Sequence, residues 1–177
     1  MFQSLFRQRA PKIVGQRLYD SAVERARQPV FYQDFGVSDT VEGRFELYSL
    51  HVILLLHRLK GGGPQAAETA QALFDTFISQ LDHALREIGV GDLSVARKMR
   101  KLGEAFYGRA KAYDAALGDP AGDELAALIG RTAFEGAGET ARVEALSAYV
   151  RKVVAALATE PLEAVLEGRA DWPDPSS

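Results

Sequence analysis

The chain of 177 residues contains no cysteine, which excludes disulfide bonds, thiolate metal sites and thiol catalysis. Its uninterrupted apolar runs, such as Val52–Leu56, are far shorter than the roughly 20 residues that a membrane span needs. The start of the chain lacks the apolar core and the small-residue cleavage site of a secretory signal. These absences fit a reducing compartment, and we expect the chain to stay in the cytoplasm.

The sequence motifs most often found in catalytic sites are also missing. The three histidines, His51, His57 and His83, include no pair with the i, i+4 spacing of a helical metal site. The run Gly61–Gly63 lacks the Lys-Ser/Thr of a phosphate-binding loop, and no serine nucleophile motif occurs. Carboxylates are numerous but ungrouped, so the sequence leaves open only an enzyme with dispersed residues. We predict no catalytic residue, no metal ligand and no cofactor.

What the sequence does contain is helical periodicity punctuated by Gly and Pro. Apolar residues at 3.6-residue spacing predict helices at about 11–27, 40–60, 64–88, 94–117 and 139–158, with short helices near 121–130 and after 161. No strand pair and no internal repeat is evident. The sequence therefore predicts an all-α fold, an irregular bundle of about six helices, as one domain over residues 1–177.

Three details of this bundle can be predicted. Residues 45–59 are apolar nearly all round, so their helix is expected in the middle of the domain. Gly103 and Gly108 each cost a helix about 1 kcal/mol relative to Ala, so we expect close packing against them. Residues 171–177 are expected to fray, unless Trp172 docks.

Charge is distributed unevenly along the chain. Residues 1–113 carry 16 Lys+Arg and 12 Asp+Glu, whereas residues 114–177 carry 5 and 12. Such a split predicts a positive surface that meets something negative. The acidic last third argues against a dedicated nucleic-acid module, and no DNA-reading motif occurs, so DNA is not an expected partner.

The positive charge concentrates in one helix, over residues 94–113. It has Glu104 as its single acid. An excess of one sign favours contact with RNA phosphates, acidic lipid or an acidic protein surface, and a solvated helix face is the alternative. The candidate partner-binding residues of this helix are Arg97, Lys98, Arg100, Lys101, Tyr107, Arg109 and Lys111.

Two further segments are candidates for contact. The connection 28–39 carries Phe31, Tyr32 and Phe35, which are too apolar for a solvated loop and either pack in the core or line a partner groove. The first residues form a short basic amphipathic segment of the type that rests on anionic membranes, or else a frayed tail. Its residues are Phe2, Leu5, Phe6, Arg7, Arg9 and Lys12.

Several blocks of sequence, taken in order, resemble the ubiquinol–cytochrome c chaperone family, over roughly residues 14–118. They are Leu18-Tyr19, ARQPVFY at 26–32, FGVSDTVEGRFE at 35–46, LREIGVGDLSV at 85–95, and FYGR at 106–109 with Tyr113 beyond. The chain is similar to the compact bacterial branch of this family. The last third resembles nothing useful.

The resemblance implies a non-catalytic assembly factor for the cytochrome bc1 complex. In mitochondrial relatives the domain pairs with a small helical partner, sits near the ribosomal tunnel exit and receives newly made cytochrome b. The implied client is therefore cytochrome b, with a ribosome, a small helical partner or an anionic membrane as further contacts at the cytoplasmic face of the inner membrane. The alternatives are a membrane-surface or ribosome-associated scaffold without this client, and the enzyme with dispersed residues.

Overall fold

The computed structural model describes residues 2–119 and 123–176, with side chains from Pro11 onward. Six long helices and two short ones occupy this part of the chain, and it contains no strand. The helices are α1 (Phe2–Ala26), α2 (Val30–Gln33), α3 (Val41–Leu59), α4 (Pro64–Glu87), α5 (Asp92–Leu117), α6 (Asp123–Thr132), α7 (Thr140–Thr159) and α8 (Leu162–Leu166). The prediction of an irregular all-α bundle is confirmed.

α3 lies in the middle of the bundle, as its apolar surface predicts. It contacts α1, α4, α5 and α7, so Leu47, Leu50 and Leu55 are all buried although they point in different directions around the helix. The helix begins where the Thr40 hydroxyl accepts a hydrogen bond from the Gly43 backbone N–H at 3.1 Å. α3 is therefore the element around which the other long helices are arranged.

α1 packs along α4. A Cβ on Gly15 would lie 2.7 Å from the carbonyl carbon of Ala72, so only glycine allows this approach. α1 begins at Phe2 rather than at Pro11 as predicted, because a proline removes its own N–H from the hydrogen-bond ladder while the helix continues on both sides. The predicted amphipathic segment at residues 2–9 lies outside the side chains that the structure describes.

The C-terminal segment docks instead of fraying. Trp172 Nε1 donates to the Ser21 hydroxyl at 2.7 Å, and Arg25 donates to the Trp172 carbonyl at 2.9 Å. Pro175 is buried. The expectation of a frayed tail at 171–177 is therefore wrong for the described part of that segment, because the indole finds both a hydrogen-bond acceptor and an apolar surface.

The two glycines of α5 have no packing partner. A Cβ on either Gly103 or Gly108 would meet nothing within 4 Å. The expected close helix approach is therefore wrong in the isolated chain. The buried face of α5 instead carries Val95, Phe106 and Tyr113. Gly103 lies beside this face, and Gly108 lies on the exposed side of the helix.

Candidate functional site

Four basic side chains form one exposed group near the start of α5, which we call the basic segment. They are Arg97, Lys98, Arg100 and Lys101. None of them forms an ion pair with another side chain in the described part of the molecule. Their charge is not neutralised from within, so it can attract an external anion. Lys111 is exposed further along the same helix and is likewise outside these ion pairs.

Arg109, the remaining predicted cation, has a different position. Its guanidinium binds the Glu46 carboxylate with two nitrogens, Nε at 2.5 Å and Nη2, and lies 5.7 Å from the centre of the Phe45 ring. Burial raises the pKa of Glu46, and the Arg109 hydrogen bonds oppose that shift. Because both side chains are largely buried, Arg109 joins α5 to α3 and is not available to a partner in this conformation.

Tyr107 is the exposed aromatic residue of α5. Its ring is 63 % exposed and lies 5.3 Å from the ring of Phe74 on α4, measured between centroids. Tyr107 follows Arg100 by seven residues and precedes Lys111 by four, so the three side chains share one face of the helix. This face therefore offers a partner a supported aromatic ring between two cationic positions.

Two of the three aromatic side chains of the connection lie in the core. Phe31 is fully buried, and Phe35 is 9 % exposed. Tyr32 is half-buried, its hydroxyl donates to the Ala26 carbonyl at 3.0 Å, and burial raises its pKa to about 12. Of the two roles that the sequence allows these residues, core packing is the one that the structure shows for Phe31 and Phe35. A partner could reach Tyr32 alone without opening the fold.

Phe31 belongs to a sealed aromatic cluster around His51. The Phe31 ring lies 5.3 Å from the His51 ring and 5.1 Å from Tyr149, while Trp172 covers His51 at 5.3 Å. His51 Nδ1 donates to the Leu47 carbonyl at 2.8 Å, which leaves Nε2 to accept from the Tyr149 hydroxyl at 3.0 Å. Burial lowers the pKa of His51 to about 4. This histidine is neutral and fully satisfied, as expected for a core residue.

An apolar groove lies between the end of α3, the start of α4 and the second half of α5. Its volume is about 710 Å³. We call it the α3–α5 groove. Its apolar lining consists of Ile53, Leu56, Leu59, Ala67, Ala70 and Ala110, and its polar lining of His57, Lys60, Lys111 and Asp114, with Gly61 and Gly63 at the turn. Of the candidates from sequence analysis, only Lys111 lines it.

Three of the four charged or titratable residues that line the groove are joined by hydrogen bonds. Lys60 Nζ donates to Asp114 Oδ2 at 2.5 Å, and His57 Nδ1 lies 3.1 Å from Asp114 Oδ1. The Lys60 hydrogen bond, followed by that of His57, lowers the pKa of Asp114. The trio contains no nucleophile, and its members are partly solvated. It therefore suits the rim of a binding surface rather than an acid–base centre.

Other kinds of site find no support among the described residues. No three His, Asp or Glu side chains there are grouped so that they could hold one metal ion. None of the helices within residues 2–119 and 123–176 is both long and apolar enough to cross a bilayer. A cleft of about 820 Å³ between α1 and α4 is lined mainly by polar side chains, Gln16, Gln71 and Asp75 among them.

The comparison with protein families gives a match over most of the chain. The model of the family "Ubiquinol-cytochrome C chaperone" matches residues 33–172. The match reaches well beyond residue 118, where the resemblance seen in the sequence ended, and includes α6, α7, α8 and Trp172. The last third is therefore part of the family's pattern, which corrects the expectation that it resembles nothing.

Individual relatives agree with this match. The chain is 25 % identical to the ubiquinol–cytochrome c reductase complex assembly factor 1 of Xenopus laevis, over 91 % of this chain and 81 % of that protein. It is 29 % identical to the human assembly factor 1, but spans only 54 % of its length. A crystal structure of the Cbp3 homolog from Brucella abortus is 39 % identical, with a TM-score of 0.85 over 99 % of this chain and 98 % of that one. The chain thus belongs to the ubiquinol–cytochrome c chaperone family.

Proposed function

We propose that this protein is a non-catalytic chaperone that holds newly made cytochrome b while the cytochrome bc1 complex is assembled. The observation that carries the proposal is the family match over residues 33–172, because assembly of this complex is the task named in the relatives' descriptions. Since the chain spans about half of the human relative, the partners of that longer protein are not carried over with the fold.

The α3–α5 groove is the surface that we assign to the client. Its apolar floor lies between three helices, which is the geometry that receives an apolar helix or side chains from one. A subunit that will later enter a membrane offers such apolar segments before it is inserted. The exposed Lys111 at the groove rim would then contact an acidic or carbonyl group at the end of the client segment.

The absence of catalysis is part of the same proposal. Of the polar side chains that line the groove, His57 and Lys60 both bind Asp114, so these three already have partners. A binding surface needs no reacting group, whereas an enzyme needs a nucleophile, acid or base within reach of a bound substrate. We therefore favour binding over the enzyme with dispersed residues.

The proposal is tested by affinity capture of the tagged protein from its own cells. Ala67 is exposed and lines the groove, so Ala67→Trp should fill the groove without disturbing the core. Ala148→Trp, on an exposed position of α7, is the matched control. We expect cytochrome b to co-purify with the parent protein and with Ala148→Trp, and to be lost with Ala67→Trp.

Deletion of the gene provides a second test. We expect cytochrome b to accumulate less while its transcript level is unchanged, because a chaperone acts after synthesis. Normal cytochrome b in the deletion strain, together with no co-purification, would remove this function from the member while leaving its family unchanged. Capture that persists in Ala67→Trp would retain the client but move its contact away from the groove.

A further inference from the structure

The turn that joins α4 to α5 exposes two large aliphatic side chains, which we call the α4–α5 tip. Ile88 is 63 % exposed and Leu93 is 89 % exposed. They are separated by only four residues, whereas the other large exposed hydrophobic residues of the described part lie apart, on α1, at the start of α3 and in the middle of α5. Scattered exposed apolar residues are normal, but a pair at a projecting turn marks a contact surface.

The conformation of this turn is fixed by ion pairs and by a glycine. Arg86 binds Asp82 one turn earlier and Asp92 across the turn, at 2.7 and 2.5 Å. Gly89 has a φ of 81°, which allows the chain to reverse directly after α4. The turn therefore has a defined backbone conformation, in which Ile88 and Leu93 face solvent.

The tip lies next to the basic segment. Leu93, Arg97 and Arg100 are spaced four and three residues apart, so they share one exposed face of α5. Residues 86–101 contain five basic and two acidic side chains, although the whole chain has a net charge of −3. Of the two acids, Asp92 is already paired with Arg86. The surface therefore combines aliphatic side chains at its end with uncompensated positive charge one to two turns behind them.

We propose that the α4–α5 tip docks on an anionic lipid bilayer, with Ile88 and Leu93 inserted among the upper acyl chains and the basic segment at the level of the phosphates. This order of apolar and then cationic groups matches the order of layers in a bilayer surface. RNA would satisfy the positive charge but would leave both aliphatic side chains in water. The inference does not depend on the identity of the client.

Docking in this way would also place the α3–α5 groove close to the membrane. Leu93 and Lys111 lie on the same helix, 18 residues apart, which corresponds to about 27 Å at 1.5 Å per residue. A client segment held in the groove would then remain within one bilayer thickness of the lipid surface.

The first experiment measures binding of the purified full chain to lipid vesicles by co-sedimentation. We expect binding to vesicles with about 30 % phosphatidylserine and little binding to phosphatidylcholine alone. The double variant Ile88→Ser with Leu93→Ser should lower the partition coefficient about tenfold, because two inserted side chains are lost. Ile13→Ser with Val41→Ser, which removes two exposed aliphatic residues elsewhere, is the matched control and should bind as the parent does.

The charge of the basic segment is tested with a second matched pair. Arg100→Glu with Lys101→Glu should lower binding at least about 25-fold, since each cation near an anionic surface contributes roughly fivefold. Arg131→Glu with Arg151→Glu makes the same change in net charge on α6 and α7 and should have little effect. Circular dichroism of all four double variants should show the parent's helical content, since every replaced residue is exposed.

Insertion of the α4–α5 tip into the bilayer is measured with a fluorescent probe. Because the chain has no cysteine, Leu93→Cys creates a single labelling site for an environment-sensitive dye, and Val41→Cys provides the control site. We expect a blue shift on anionic vesicles at position 93 alone. No shift at position 93, or equal binding by the Ile88→Ser, Leu93→Ser variant, would overturn the proposal. So would salt-sensitive binding to RNA together with no binding to vesicles.

Discussion

The aromatic connection at 28–39 and the α4–α5 tip are both short, apolar-rich segments between long helices, yet Phe31 and Phe35 of the first are buried and Ile88 and Leu93 of the second are exposed. Phe31 is fully buried because Tyr149 of α7 packs against its ring. Trp172 of the C-terminal segment covers the neighbouring His51. Nothing in the described chain covers Leu93. The difference shows that the exposure of a connection depends on which residues, distant in sequence, pack against it. Its own composition does not decide this.

The difference between the two segments is tested most strongly by the free energy of unfolding of variants in each. Phe31→Ala should lower the free energy of unfolding by about 3–5 kcal/mol, because it leaves a cavity in a sealed cluster. Ile88→Ser with Leu93→Ser should change it by less than about 0.5 kcal/mol, because both positions face water. Urea unfolding followed by circular dichroism measures both values. Similar losses from the two changes would show that the tip is packed in solution.

Breaking the Arg109–Glu46 ion pair should cause the next largest loss in the free energy of unfolding. Arg109→Met should cost about 3 kcal/mol, because it leaves the Glu46 carboxylate largely buried without its partner. The double change Arg109→Met with Glu46→Leu should recover much of that loss, since it removes the buried charge as well. If the single and double variants unfold at the same urea concentration, the ion pair does not join α5 to α3 in the way described.

His51 should make stability depend on pH. Burial lowers its pKa from 6.5 to about 4, so between these values the unfolded chain binds the proton that the folded chain rejects. Stability should therefore fall as pH falls through this window, by about 2 kcal/mol between pH 8 and pH 5. The same titration of His51→Gln provides the control and should lack this component. An identical slope in both proteins would assign the dependence to other groups.

Much of the fold could be predicted from the sequence, because helix periods and Gly/Pro breaks are local signals. The central position of α3 followed from its apolar surface, and docking of the C-terminal segment through Trp172 was one of the two alternatives that the sequence allowed. The start of α1 was not predictable from Pro11, since proline is tolerated inside a helix when its neighbours continue the ladder.

The candidate site was less predictable, because its contacts join distant parts of the chain. The pairing of Arg109 with Glu46 spans 63 residues, so nothing in the basic run separated this cation from its exposed neighbours. The α3–α5 groove was missed for the same reason, although small residues at Gly61, Ala67 and Ala70 beside larger ones were a usable signal. The basic segment was predictable because its four charges lie within five residues of the sequence.

The smallest expected effect concerns the glycines of α5. Gly103→Ala and Gly108→Ala should each raise the free energy of unfolding by about 0.4–1 kcal/mol, because alanine reduces the entropy of the unfolded chain. The added methyl groups meet nothing within 4 Å, so no strain offsets this gain. Gly15→Ala is the contrasting control: there the methyl group would lie 2.7 Å from the Ala72 backbone, so the same substitution should destabilise the bundle. Thermal unfolding of the three variants measures these changes in stability. Destabilisation at position 108 would mean that the outer face of α5 is covered in solution, and the basic segment on that face would then be less open than described. Destabilisation at position 103 would mean that α5 packs more closely at the edge of its buried face than described.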